Sequence, residues 1–213
     1  MSVFMVNDVL YTVTENINLL RFLRDLTSVK DGCSEGACGT CTVLIDGKAQ
    51  KACTQKAQSL DGKKIITTEG LSDREKEVYS YAFSEAGAVQ CGFCIPGMVI
   101  CAKALLDVNP SPTRQDVKKA IKNNLCRCTG YKKIEDAILL ASRIFRENEE
   151  IPKPVFTGLL GENMHRRDAK GKILGTAKFA DDYYMENMVY GSALRSEYPK
   201  AQIISIDKSE AEK

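Results

Sequence analysis

Nine cysteines and a single histidine in 213 residues constrain this chain more than any other feature. Ordinary cores use far fewer cysteines, and a reducing compartment does not sustain a disulfide framework, so metal ligation is the obvious reason for them. With only His165 and no tryptophan, a metal site here has to be built mainly from thiolates. That donor set favours iron–sulfur or an all-cysteine zinc site.

The spacing separates eight of the nine into two groups. Cys33, Cys38, Cys41 and Cys53 are separated by four, two and eleven residues. Three clustered cysteines spaced four and then two apart, with a distant fourth, form the plant-type [2Fe–2S] pattern. Three thiolates on one tight loop need backbone positions without a side chain, which Gly32, Gly36 and Gly39 supply. Zinc ligands usually come as two separate close pairs, so zinc suits this group poorly. The second group is Cys91 and Cys94, then Cys126 and Cys128 after thirty-one intervening residues. Taken alone, these two pairs also suit zinc or a thiol redox couple.

The pattern around the cysteines predicts an α+β fold. Residues 2–6 and 9–13 flank Asn7-Asp8 as a hairpin, and strands near 42–46 and 48–52 flank Asp46-Gly47, with a further strand near 63–67. Asn18 caps a short helix through Leu26. From Ser72 the period becomes helical: Ser72 and Glu75 form a capping box for 73–86, and Pro96 opens 96–108. Thr113 with Asp116 opens a third helix, and the stripe from Ile134 to Phe145 marks a fourth ending near 147. The organisation is a sheet domain over 1–71, a four-helix bundle over 72–147 and a linker over 148–166. An incomplete α/β segment follows over 167–213, with strand-like pieces at 177–182, 188–195 and 201–207. The formal charge of +2 and the lack of any block of like charges argue against a nucleic-acid partner. No leader or apolar run approaches a membrane span, so a cytoplasmic protein without a membrane partner is expected.

Three stretches resemble the molybdenum hydroxylases, which include xanthine dehydrogenases and aldehyde oxidoreductases. They are Gly32 to Val43 (GCSEGACGTCTV), Gly87 to Met98 (GAVQCGFCIPGM) and Asn124 to Tyr131 (NLCRCTGY). The resemblance implies two [2Fe–2S] clusters, one in a plant-ferredoxin-like β-grasp domain and one in the helical bundle. It implies that Gln90 and Cys128 approach a molybdopterin cofactor, Cys128 while also binding iron. The tail, with Arg167-Asp168-Ala169 and Gly175 to Asp182, resembles the opening of the molybdenum-binding part. No flavin-binding domain intervenes, as in fused aldehyde oxidoreductases and selenium-dependent xanthine dehydrogenases. The chain is therefore expected to be truncated relative to that family and to hydroxylate nothing alone. Its expected role is to relay electrons from a molybdenum-binding domain or subunit to an acceptor such as a flavin subunit. A free-standing two-cluster carrier and a zinc-stabilised interaction module are the alternatives.

Other residues read more plainly. Cys101, on the helix opened by Pro96, is expected to pack as a small hydrophobe. His165, beside Arg166 and Arg167, is expected to be solvated. Arg127 lends positive charge between two candidate ligands, and Lys118, Lys119 and Lys122 form a wet helix face.

Overall fold

The computed structural model describes residues 1–152, 157–162 and 164–212, and these divide into two units, Met1–Ala177 and Lys178–Lys213. The first begins with β1 (Ser2–Val6) and β2 (Val9–Val13), paired antiparallel from Ser2 against Val13 to Val6 against Val9. Asn7 and Asp8 both take positive φ, the conformation a two-residue turn needs to match the strand twist. The same device at Asp46 and Gly47 joins β3 (Thr42–Ile45) to β4 (Lys48–Lys51). β5 (Lys64–Ile66) runs parallel to β1 and antiparallel to β3, closing a mixed sheet of order β2-β1-β5-β3-β4.

Helix α1 (Leu19–Arg24) crosses this sheet; the Asn18 side chain accepts from Leu20 N at 2.9 Å, and the helix ends two residues short of the expected Leu26. Leu19, Leu20 and Leu23 are buried against Phe4, Val6, Val43, Ile45 and Ile65. Each such side chain contributes about 1.5–3 kcal/mol when fully buried. Strand β3 is buried throughout, because alternation gives Val43 and Ile45 to the α1 core and leaves Thr42 and Leu44 for helix α3 on the other face.

Four helices follow: α2 (Asp73–Glu85), α3 (Ile95–Val108), α4 (Arg114–Ile121) and α5 (Lys132–Glu147). Ser72 with Glu75 and Thr113 with Asp116 form the reciprocal caps that start α2 and α4. The apolar stripe of α5, Ile134, Ala137, Ile138, Ala141 and Ile144, is buried against Val78, Tyr79, Ala82 and Phe83 of α2 and the centre of α3.

Three expectations about the later residues differ from what the described residues show. The linker placed at 148–166 lies partly outside the described residues, and its described beginning is not free chain. Arg74 donates to the Glu149 carbonyl, and Ile151 packs on the bundle core. The new segment placed at 167 instead opens inside the first unit, because α6 (Ala169–Leu174) buries Ala169 and Ile173 in that same core. In the second unit the strand-like pieces form no strand among the described residues; a single 3-10 turn spans Ala180–Asp182. A strand needs a ladder partner for its N–H and C=O groups, and alternation alone supplies none. No helix among the described residues is long and apolar enough to cross a membrane.

Candidate metal centres

The first quartet is gathered on the loop between α1 and β3. Cys33, Cys38 and Cys41 lie on it, and Cys53 comes from a 3-10 turn, Ala52–Thr54, just beyond β4. The backbone N–H groups of Cys38 and Glu35 point at Cys33 Sγ, at 3.4 and 3.5 Å. Those donors, Cys38 first, bring the Cys33 thiol down to about 7. The Cys41 thiol is instead pushed up to about 12, mainly by burial. Lys51 donates to the carbonyls of Gly36 and Ala37 and so stitches β4 to the loop, while Asn18 Nδ2 donates to the Cys53 carbonyl at 2.7 Å. Cys33 lies within hydrogen-bond reach of Cys38, and Cys41 within reach of Cys53.

The second quartet joins two helix junctions. Cys91 and Cys94 form the turn before α3, with Cys94 as its N-terminal cap, and Cys126 and Cys128 lie between α4 and α5. Cys128 Sγ is 3.7 Å from Cys91 Sγ, and Cys94 is within hydrogen-bond reach of Cys126. Burial opposes charge on Cys126, but the Thr129 hydroxyl, 3.1 Å from its sulfur, and the N–H groups of Cys128 and Thr129 outweigh it and lower this thiol. Burial raises the Cys94 thiol. Tyr131, held at φ +69° where the chain turns into α5, accepts a 3.0 Å hydrogen bond from Cys126 N through its hydroxyl.

In both sites the thiols therefore come in twos, an inner pair and an outer pair. Cys41 and Cys53 are buried while Cys33 and Cys38 are half-buried; Cys94 is buried and Cys126 half-buried, while Cys91 and Cys128 are exposed. None of the nine cysteines is in a disulfide. Among the described residues no trio of His, Cys, Asp or Glu side chains is gathered around a single point for one ion. An all-thiol donor set, arranged as pairs with backbone N–H groups aimed at sulfur, fits a two-iron cluster at each site.

The two sites are tied directly together. Leu125, the residue before Cys126, donates its N–H to the Cys38 carbonyl at 2.8 Å. Next to it Asn124, buried, donates to the Gly39 carbonyl at 2.9 Å and accepts from the Cys101 thiol at 3.2 Å. Gly39 sits at φ +71°, and a Cβ there would lie 2.3 Å from the Asn123 carbonyl oxygen, so only glycine permits this approach. Cys101 is buried as expected, and its thiol belongs to this bridge.

Sequence reasoning assigned no role to Asn124, Thr129 or Tyr131. Their polar side chains beside the Cys126-Arg127-Cys128 triplet were the available signal. His165 is corrected: it is partly buried, edge-on to Tyr81 and 2.8 Å from a Glu85 carboxylate oxygen. Gln90, Arg127, Lys118, Lys119 and Lys122 are exposed.

Comparison with known proteins points to iron–sulfur binding in both parts of the chain. Residues 4–78 match a family model described as a 2Fe-2S iron-sulfur cluster binding domain, and residues 67–139 match one described as a [2Fe-2S] binding domain. The nicotinate dehydrogenase small FeS subunit of Eubacterium barkeri is 52% identical over 134 residues, covering 61% of this chain and 85% of that protein. The aldehyde oxidoreductase of Megalodesulfovibrio gigas is 35% identical over 206 residues, 91% of this chain but 23% of that protein. The crystal structure of the aldehyde oxidoreductase from Desulfovibrio desulfuricans ATCC 27774 superposes with a TM-score of 0.76 at 36% identity, covering 85% of this chain and 22% of that one.

Proposed function

Because the chain belongs to the iron–sulfur proteins of the molybdenum hydroxylase family and carries two [2Fe–2S] clusters, we propose that it relays electrons from a molybdenum centre on a partner domain or subunit to an external acceptor. When bound, each cluster supplies one-electron redox chemistry that no side chain here can perform.

The chain's own residues do the holding and the spacing. Cys33, Cys38, Cys41 and Cys53 are the ligands of one cluster, in a plant-ferredoxin-like β-grasp domain over 1–71. Cys91, Cys94, Cys126 and Cys128 are the ligands of the other, in a four-helix bundle over 72–147. The pairing of the thiols and the order of the two family matches support this division.

The observation that carries the reading is the contact from Leu125 N to the Cys38 carbonyl. One hydrogen bond joins a residue adjacent to a ligand of one quartet to a ligand of the other, which fixes their separation. The outer rim of the bundle site, with Gln90, Cys91, Leu125 and Cys128 exposed, is the side that meets the molybdenum-binding partner. There Gln90 and Cys128 approach the molybdopterin. The outer face of the sheet site, where Cys33 is half-buried and Glu35 exposed, serves the acceptor, a flavin subunit or another carrier. Nine cysteines with none in a disulfide suit a reducing, cytoplasmic setting.

Electron paramagnetic resonance of the dithionite-reduced chain tests this. Two distinct [2Fe–2S] signals are expected, both lost on reoxidation by an artificial acceptor. A protein that takes up no electrons, or gives only one signal, would refute the relay.

A further inference from the structure

The segment beyond the bundle's long helices folds back over the second quartet. The Leu174 carbonyl at the end of α6 accepts from Thr68 Oγ1 at 2.8 Å and Ser28 Oγ at 3.4 Å, which pins the helix between sheet and bundle. Toward the other end, Arg166 Nη1 at 3.2 Å and Lys172 Nζ at 3.4 Å both donate to the carbonyl of Gln90, the residue before Cys91. The methylenes of Lys172 lie on bare backbone between the two thiols, for a Cβ at Gly92 would sit 2.5 Å from Lys172 Cβ.

Asp168 holds both cations in place, 3.0 Å from Arg166 Nε and 2.7 Å from Lys172 Nζ. Two cations and one carboxylate leave a net positive charge over the Gln90–Gly92 backbone. The Lys172 side chain is only 16% exposed, so solvent screens its charge weakly. At the sheet site Lys51 makes the equivalent grip on the Gly36 and Ala37 carbonyls from within the same domain. At the bundle site the grip comes from Arg166, just before α6, and Lys172 within it, outside the four long helices whose junctions hold the thiols.

We propose that Arg166 and Lys172 are positioning residues that clamp the Gln90–Gly92 backbone, fix Cys91 against Cys128, and raise the reduction potential of the bundle cluster relative to the sheet cluster. The inference rests on the reading of Cys91, Cys94, Cys126 and Cys128 as cluster ligands. Its physical basis is that a fixed positive charge favours the form carrying the extra electron. Removing the charges shifts the equilibrium toward the oxidised form, and only at the site they face.

The test is a redox titration of the full chain with both clusters present, each followed by its own resonance signal. Cys126→Ser identifies the bundle signal by its loss. Lys172→Met keeps the packing on Gly92 but removes the charge and the donor, and Arg166→Gln removes the other charge. The double variant is expected to keep both clusters. Its bundle cluster becomes harder to reduce by about tenfold, roughly 59 mV for one electron, while the sheet cluster stays where it was. Lys172→Arg is expected to stay close to the parent. Loss of the bundle cluster from Lys172→Met but not from Lys172→Arg would also support the clamp. Unmoved potentials with both clusters retained would overturn it. So would equal shifts at both clusters, or a shift in Lys172→Arg as large as in Lys172→Met. If Cys126→Ser left both signals in place, the reading of the second quartet would fail first, and the clamp with it.

Discussion

The two thiol quartets solve one problem by different routes. The sheet site is assembled from Cys33 to Cys53, one loop closed by a hairpin whose turn, Asp46-Gly47, is written into the sequence. The bundle site takes Cys91 and Cys94 from one helix junction and Cys126 and Cys128 from another, so its geometry exists only once α2 to α5 have packed. Local closure is cheap in chain entropy, whereas joining distant junctions depends on the helical core. The sheet site is thus a property of a loop, and the bundle site a property of a fold.

The strongest way to break this comparison is to remove one ligand from each site. Cys126→Ser is expected to abolish the bundle cluster, halve the iron, and leave the sheet signal intact; Cys33→Ser is expected to do the converse. Loss of both signals from either variant would mean that the sites are not separate units. Next in size is Gly39→Ala, which forces a side chain onto positive φ and into the Asn123 carbonyl. Strain and overpacking together should cost about 2–4 kcal/mol in denaturant unfolding. Because the clash falls on the bridge, both signals should change; a change at the sheet site alone would show that the bridge does not couple them.

Asn124→Ala sharpens the same point more gently. It removes one of three donors to the buried Gly39 carbonyl, which keeps those of Thr42 N and Oγ1, and takes the acceptor from the Cys101 thiol, at a cost of about 0.5–1.5 kcal/mol. Cys101→Ala in the Asn124→Ala background should cost less than the two changes added, which a double-mutant cycle would measure.

The smallest effect concerns the carboxylate that ties the α1 side of the sheet to the start of the bundle. Burial works against charge on Glu69, yet the Ser28 and Thr67 hydroxyls and the Ser28 N–H outweigh it and hold the carboxyl below its ordinary range. A depressed folded value stabilises above the unfolded carboxylate range and is lost as pH falls through the folded value. Glu69→Gln should therefore cost about 1 kcal/mol at neutral pH, and the gap to the parent should close in acid. A gap independent of pH would show that the charge contributes nothing.

What the sequence discloses follows the same division between local and distant. The strand turns at Asn7-Asp8 and Asp46-Gly47 and the caps at Ser72 and Thr113 are decided by residues within three positions of each other, and each forms where expected. The spacing of Cys33, Cys38 and Cys41 is a short-range pattern, whereas Cys91 and Cys94 meet Cys126 and Cys128 only through packing across thirty-one residues. Asn124 was not legible as a bridge, since its partner Gly39 lies 85 residues away and only packing brings them together. Helix α6 was missed because six residues carrying Gly171 and two lysines have little helical signal without the core that buries Ala169 and Ile173. The strands expected after 177 rested on alternation alone, and alternation describes a face without providing a neighbour.

The central claim is that each quartet of thiols holds two irons bridged by sulfide, and metal analysis of the purified chain addresses it most directly. The account predicts four irons and four acid-labile sulfides per chain, two of each per [2Fe–2S] cluster, with no zinc at either quartet. Zinc at one ion per quartet without sulfide, or thiols joined across the quartets as disulfides, would contradict it.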